Sequence, residues 1–448
     1  MIKLGRGAHI CSKILLATSS SKISTNMTKK NIVILGAGFG GITAALKLAK
    51  KIGRLANEYE IILIDRHHHQ LITPNLYEIA SIPKEYAPDT PLKSSILIPV
   101  SDIIENKPIA FICDEVSGLK AAEKMVVLKN GGDLPYEFII FALGSETNYF
   151  NIPGLHEYSY PLKTFDDGAK LRNTIEKLVK EKDYIKIAVG GAGASGVELI
   201  AEFSNFICAI KETIAPANTC NTELLLVEAS SEILPGFDAI VVKRAKKRLK
   251  NLGVRIKTNT TIAEINAGHF ICQDGKKENF DLLIWTGGVK GPEILSAGGG
   301  SAFGGKNFGL KLSPKGSFAI NDYLQIQGDD GHIFAIGDNS SMINPKTGKP
   351  LIWNVPVAEA EGRLVAKNIL RAIKGLPLKK FVPMKKYPFI LTVGRKYAVA
   401  DLVFFRLCGF TGWLAKRLVE LRYLLFILPF RKALKTWLMG LKYFTSND

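Results

Sequence analysis

The chain has 448 residues, 47% of them hydrophobic, with 59 Lys and Arg against 41 Asp and Glu and a formal net charge of +18. That size suits two or three domains with sizeable cores, and the longest apolar run near the C-terminus, Tyr423–Phe430, is eight residues, far short of the ~18 that a membrane span requires. Six cysteines (Cys11, Cys113, Cys208, Cys220, Cys272, Cys408) show no CxxC or metal-ligand spacing, which argues against structural disulfides and a zinc site and suits a reduced, intracellular protein.

Residues 1–30 form a basic extension with Lys3, Arg6, Lys13, Lys22, Lys29 and Lys30 and no acid. Three readings stay open for it: residues ahead of a true start at Met27, a targeting segment, or a plain tail. The first folded unit then reads strand–turn–helix–strand. NIVIL (Asn31–Leu35) enters the turn GAGFGG (Gly36–Gly41), a helix runs to about Lys51, and a strand Glu60–Ile64 ends at Asp65. Gly36 makes the tight turn, Gly38 lets backbone approach a pyrophosphate, and Gly41 lets helix pack on strand. The helix N-terminus supplies amide donors to the phosphates, and Asp65 accepts hydrogen bonds from a ribose diol. This is a dinucleotide site.

A β-rich segment around Met125–Asn130 leads to a buried strand ending Ala142-Leu143-Gly144, where small residues let backbone approach a bulky group. The same unit then recurs. IKIAV (Ile185–Val189) enters GAGASG (Gly191–Gly196), a helix runs to about Ile210, and a strand Glu223–Val227 ends at Glu228. The loop after it, ASSEILPGF, has no Arg or Lys to hold a 2′-phosphate, so NADH rather than NADPH is expected. Leu282–Gly288 is a further strand, and the glycine-rich loop Gly287–Gly309 reads as the return crossing to the first domain. HIFAIGD (His332–Asp338) places Asp338 at a strand's carboxyl end, suited to a flavin ribityl chain, and a helix from about Pro356 to Lys374 points its positive end the same way.

The last seventy residues hold fourteen Lys/Arg against three Asp/Glu. Leu414, Leu418, Leu421, Leu425 and Leu428 recur at helical spacing, with Lys416, Arg417 and Glu420 on other faces. After Pro429 a second stripe runs through Phe430, Leu434, Trp437, Leu441 and Phe444 among Arg431, Lys432, Lys435 and Lys442. Two basic amphipathic helices suit an in-plane membrane anchor, with a dimer interface or core helices as the alternative.

The segments GAGFGG, IDRHHHQLITPNLYEIA (Ile64–Ala80), FALGSETNYF (Phe141–Phe150), GGAGASGVELIAE (Gly190–Glu202), VEASSEILPGF (Val227–Phe237), IWTGG (Ile284–Gly288), IFAIGD and GFTGWLAKRLVEL together resemble the type II, non-proton-pumping NADH:quinone oxidoreductases, a family of two-dinucleotide-domain flavoproteins. The resemblance implies an α/β fold of two Rossmann-like, glutathione-reductase-like domains. FAD would lie on residues 31–150 and 304–378, NADH on 151–303, and a helical membrane-anchoring region would occupy 379–448. It implies non-covalent FAD at Gly36, Gly38, Phe39, Gly40, Gly41, Asp65, Arg66, Pro74, Ala142, Gly144, Gly337 and Asp338. NADH would lie at Gly191, Gly193, Ala194, Ser195, Gly196, Glu228 and Gly288.

Glu198 falls where the family has an acid near the flavin–nicotinamide junction, and a role in proton delivery is its implied function; a helix-start acid favoured by the dipole is the alternative. The quinone side would be Val357, Ala358 and Glu361. The family's glutamines there are replaced by Pro356 and Ala360, so a protonated Glu361 is the substitute donor. His67, His68 and His69 are read as loop residues rather than metal ligands. The expected partners are a membrane lipid surface, a quinone and a second copy of the chain in a homodimer, with no nucleic acid. The expected location is the cytoplasmic face of an inner or plasma membrane, or a mitochondrion if the extension is a targeting segment. Rival readings are a reductase of a ferredoxin-like protein, a sulfide:quinone reductase, and a polyanion-binding redox sensor; the absence of cysteine from Gly144 to Gly190 weighs against thiol chemistry.

Overall fold

The computed structural model describes residues 29–214, 221–295 and 312–445; nearly all of the N-terminal extension and most of the glycine-rich return loop lie outside them. In the first unit β1 (Lys30–Leu35) enters the glycine turn, α1 (Phe39–Lys51) follows, and β2 (Tyr59–Asp65) returns beside it. The TPNLYEIA segment forms a short helix, α2 (Leu76–Ala80), and two further strands follow, β3 (Ala110–Cys113) and β4 (Phe138–Phe141). The second unit holds β5 (Tyr160–Pro161), α3 (Phe165–Glu181), β6 (Tyr184–Gly190), α4 (Ala194–Ile214), β7 (Asn221–Val227), β8 (Arg255–Lys257) and β9 (Leu282–Trp285). The chain then returns through β10 (Ile333–Ala335) and α5 (Val355–Ile373).

The two sheets repeat one plan. The first has strand order β10-β4-β1-β2-β3 and the second β5-β9-β6-β7-β8, and every pairing in both is parallel. Strands covered on both faces need continuous apolar runs, and Ile32–Leu35 and Leu224–Val227 are buried throughout. Each glycine turn leaves the middle strand of its sheet, at the point where the strand order reverses and a crevice opens. In the first unit α1 packs closely on α5: a Cβ on Gly362 would stand 2.6 Å from the Gly40 carbonyl oxygen.

The C-terminal region departs from expectation. It opens with an antiparallel sheet, β11 (Phe389–Thr392), β12 (Ala398–Asp401) and β13 (Arg406–Gly409), and ends with α6 (Phe410–Ile427) and α7 (Phe430–Phe444), broken at Pro429. On α6 Lys416 and Arg417 are buried, whereas Leu414, Leu418 and Leu425 are exposed. Tyr423, Leu424, Ile427 and Leu428 join the core of the first unit, while Leu391, Val393 and Val399 join that of the second. Burying four such side chains contributes about 6–12 kcal/mol at ~1.5–3 kcal/mol each. A typical domain has a net stability of only about 5–15 kcal/mol. Residues 379–445 are therefore a clamp across both units rather than a detachable appendage. No described helix is long and apolar enough to cross a membrane.

Candidate functional site

Both glycine turns have the same construction. Gly36 and Gly191 sit at φ +105° and +98°, where a side chain is strained, and a Cβ on either would run into backbone at 2.2 and 2.3 Å. At the last glycine of each turn, Gly41 and Gly196, a Cβ would stand 1.9 and 2.0 Å from the carbonyl oxygen of Gly36 and Gly191. At the middle glycines, Gly38 and Gly193, a Cβ would meet nothing within 4 Å. Backbone there faces open space beside helix amides that have no partner within the helix, a fit for an anionic pyrophosphate. Phe39 and Gly40 complete the first turn, Gly40 lying against Ile336 and the Ala358 carbonyl; Ala194 and the exposed Ser195 complete the second.

The two strand-end acids brace their own turns. Asp65 accepts from the Ala37 amide (2.7 Å) and the His67 amide (2.8 Å). Glu228 accepts from the Ala192 amide and the Ser230 amide, both at 2.8 Å. Each carboxylate ties its glycine turn to the loop beyond its strand and keeps lone pairs for a further donor. Arg66 is exposed just beyond Asp65, and Pro74 is exposed in the turn ahead of α2. Gly288 abuts the ring of Phe150. The rings of His67 and His69 stack at 5.4 Å, and no group of three or more potential metal ligands occurs among the described residues.

The segments that follow β4 and β10 close on the first turn. The Ala142 carbonyl lies against Gly36, and Gly144, at φ +75°, is held by buried Asn339, which accepts from the Leu143 amide (2.5 Å) and donates to the Gly144 carbonyl (2.8 Å). Asp338 accepts from the Ser145 hydroxyl at 2.6 Å, and Lys163 donates to that hydroxyl at 3.1 Å. Burial lowers the Lys163 pKa, against the pull of Asp338 and Glu146. Asn339, Ser145 and Lys163 lie outside the glycine motifs and 18 to 196 residues from their partners, so the sequence does not single them out.

Glu361 is placed differently from expectation. It is fully buried and accepts from the Gly337 amide (2.6 Å) and the Ser340 hydroxyl (3.1 Å). Val357 and Ala358 are buried as well, because the face of α5 that carries them packs on α1 and the Gly337 loop. The half-buried face belongs to Pro356 and Ala360. Burial pushes the Glu361 carboxyl up to about 8, against the two donated hydrogen bonds. With its folded pKa above the unfolded value, Glu361 contributes stability that is complete below about pH 4.5 and lost as pH rises through 8. Glu361→Gln keeps the shape and removes the titration. The variant should gain about 3–5 kcal/mol over the wild type on going from pH 5 to pH 8.5, at ~1.4 kcal/mol per unit. Thermal unfolding at both pH values checks this; an equal difference at the two would contradict it.

A second polar cluster bridges the two units and α6. Glu198, four residues into α4, accepts from the Thr392 amide (3.2 Å) and hydroxyl (3.0 Å). The Thr392 hydroxyl lies 2.6 Å from the Tyr77 hydroxyl of α2, and Lys416 donates to that phenol and to Glu78. Arg417 donates to Glu78 at 2.7 Å and to Glu420 at 3.1 Å. Burial pushes Glu198 up to about 7, with Lys416 pulling it down. Burial also pushes Glu78 up, but Arg417 and Lys416 outweigh it and hold that carboxyl below the usual range. The arrangement is a hydrogen-bonded file from Lys416 through Tyr77 and Thr392 to Glu198, the one member expected from sequence. Tyr77 lies more than 300 residues from both Thr392 and Lys416; the adjacent bases Lys416 and Arg417 in a leucine-rich helix are the available signal.

The comparisons with known proteins agree with this geometry. A type II NADH:quinone oxidoreductase of Staphylococcus saprophyticus is 27% identical over 365 residues, covering 79% of this chain and 85% of that protein. The solved structure of NDH2 from Plasmodium falciparum in complex with NADH has a TM-score of 0.77 at 19% identity, over 94% of this chain and all of the other. The sulfide:quinone oxidoreductase of Aquifex aeolicus has a TM-score of 0.70 at 17% identity, over 91% of this chain and 92% of the other. The family model of the pyridine nucleotide-disulphide oxidoreductases matches residues 30–362, most of the chain and both glycine turns, and the chain belongs to that family.

Proposed function

We propose that this chain is an FAD-dependent NADH dehydrogenase that reduces a quinone at a membrane surface. One observation carries the reading: the chain holds two equivalent dinucleotide turns, the second opening the helix that carries Glu198 of the buried polar file, with no cysteine between Gly144 and Gly190 to serve disulphide or sulfide chemistry. The named activity of the Staphylococcus saprophyticus relative supports the same acceptor. Bound on the first turn, FAD supplies a two-electron relay between nicotinamide and quinone.

Gly36, Gly38, Phe39, Gly40 and Gly41 would hold its pyrophosphate, Asp65 and Arg66 its adenosine side, and Pro74, Ala142, Gly144, Gly337 and Asp338 its ribityl and ring side. Gly191, Gly193, Ala194, Ser195 and Gly196 would hold the NADH pyrophosphate, Glu228 its ribose, and Gly288 the nicotinamide end. The N-terminus of α5, capped by Asn354 through the Val357 amide (2.9 Å), favours negative charge beside the Gly337 loop. Glu198 holds a proton below about pH 7. A proton that Glu198 gives up to a reduced acceptor would be replaced through Thr392 and Tyr77 from the Lys416 ammonium, and the amine left behind would take one back from water. Val357, Ala358 and Glu361 shape the wall behind the acceptor, with Pro356 and Ala360 nearest to open space.

The exposed leucines of α6 and the basic face of α7 (Arg431, Lys435, Lys442) suit a lipid surface. We place the enzyme there as a homodimer on the cytoplasmic face. Steady-state NADH oxidation should require a quinone, and NADPH should be a far poorer donor. Glu228→Gln should raise the KM for NADH at least tenfold, because a charge-assisted hydrogen bond contributes about 1.5–3 kcal/mol, with kcat changed less than about twofold. An unchanged KM would move the ribose contact elsewhere.

A further inference from the structure

The turn between β12 and β13 carries the most exposed large apolar side chain among the described residues. Phe404 is 93% exposed and Phe405 57%. The turn is closed by the Leu402 amide donating to the Phe405 carbonyl at 3.0 Å, and Val403, a β-branched residue, is held at φ +76°. That conformation is strained for such a side chain, so the surrounding structure must impose it. The base of the hairpin does so. Asp401, 1% exposed, accepts from the Val403 amide and pairs with Lys386 (2.7 Å) and Arg406 (2.8 Å). Both bases also reach Asp238, at 3.7 and 2.6 Å. Two acids and two bases neutralise one another, and the tip is left without charge.

Around the tip, Val382 and Met384 are exposed, and Met384, Lys385 and Val403 line one open cleft with Phe237. Lys385, an exposed base, stands at its rim. Aromatic tips beside lysines, with the nearby acids already paired, match the interfacial zone of an anionic bilayer. From Phe404 to Phe410, where the exposed stripe of α6 begins, is six residues, about 20 Å of extended chain. Phe410, Leu414 and Leu418 of that helix are exposed as well.

We propose that the Phe404–Phe405 turn is a wedge that inserts into the interfacial region of an anionic lipid bilayer, fixing the enzyme's orientation independently of its helices. The proposal rests on the membrane reading above but names a separate contact. The test uses the full-length flavoprotein with phosphatidylglycerol-rich and pure phosphatidylcholine vesicles. Phe404→Ser with Phe405→Ser should lower the partition coefficient on the anionic vesicles by at least about tenfold, with NADH–ferricyanide turnover unchanged. Phe404→Trp should keep binding and shift its emission to the blue on those vesicles.

Unchanged partition of the double serine variant, with Leu414→Ser and Leu418→Ser still releasing the protein, overturns the wedge and leaves the membrane reading intact. No binding by the wild type overturns both. A double serine variant that leaves the vesicles only because it has changed from dimer to monomer, seen by sedimentation, makes the turn a subunit contact and overturns the lipid assignment.

Discussion

Gly41→Ala should purify without flavin, whereas Gly196→Ala should keep its flavin and fail to be reduced by NADH. A methyl on Gly41 would stand 1.9 Å from the Gly36 oxygen, and one on Gly196 would stand 2.0 Å from the Gly191 oxygen. Both collisions are with backbone, in a turn whose first residue is already in the left-handed region, so neither side chain can rotate away. The turn itself must shift, and its amides lose their aim at the phosphates. Losing two charge-assisted hydrogen bonds costs about 3–6 kcal/mol, or ~10²- to 10⁴-fold in binding. The ratio of flavin to protein absorbance reads the first variant, and stopped-flow flavin reduction reads the second. Flavin retained by Gly41→Ala and lost by Gly196→Ala would reverse the assignment of the two units.

The next largest effect is expected at the proton file. Glu198→Gln and Lys416→Met should each slow quinone-dependent turnover by about 10- to 100-fold, in the range of general acid–base contributions. Flavin reduction by NADH should change less than about threefold, since that half-reaction takes no proton from the file. The pH dependence separates the two. Glu198, held up near 7 by burial, is protonated below that value and ionised above it, so wild-type turnover should fall as pH rises through 7. Glu198→Gln should lose that limb. Lys416→Met removes the cation that pulls Glu198 down, so its limb should move to higher pH. A limb that survives in Glu198→Gln, or does not move in Lys416→Met, would detach these residues from proton supply. Arg417 still pairs with Glu78 in Lys416→Met, so the variant does not strand a buried carboxylate.

The residues readable from sequence are those whose constraint is local. Gly36, Gly41, Gly191 and Gly196 are fixed by turn geometry within six residues, and Asp65 and Glu228 by the strand that ends in them. Strand and helix limits around them fall within a few residues of the sequence reading. Tyr77, Thr392 and Lys416 could not be read in this way. Each is an ordinary residue in its own segment, and only the tertiary fold brings them together. The C-terminal helices show a different limit. On α6 apolar residues recur on every side, so spacing could not decide whether Leu414 and Leu418 or Tyr423 and Ile427 face the core. The ion pairs of Lys416 and Arg417 with Glu78 decide it, and they are invisible in the helix's own pattern. Glu361 is expected as a donor to the acceptor only because it stands beside the position where the family resemblance places a glutamine. The close approach of Gly362 to Gly40 rotates it inward instead.

Electrons are expected to pass from NADH through a bound flavin to a quinone. Anaerobic mixing tests it most directly. NADH should bleach the flavin within the turnover time, NADPH should do so far more slowly, and a subsequent quinone addition should restore the oxidised spectrum stoichiometrically. A flavin that NADH bleaches but no quinone reoxidises would contradict the account.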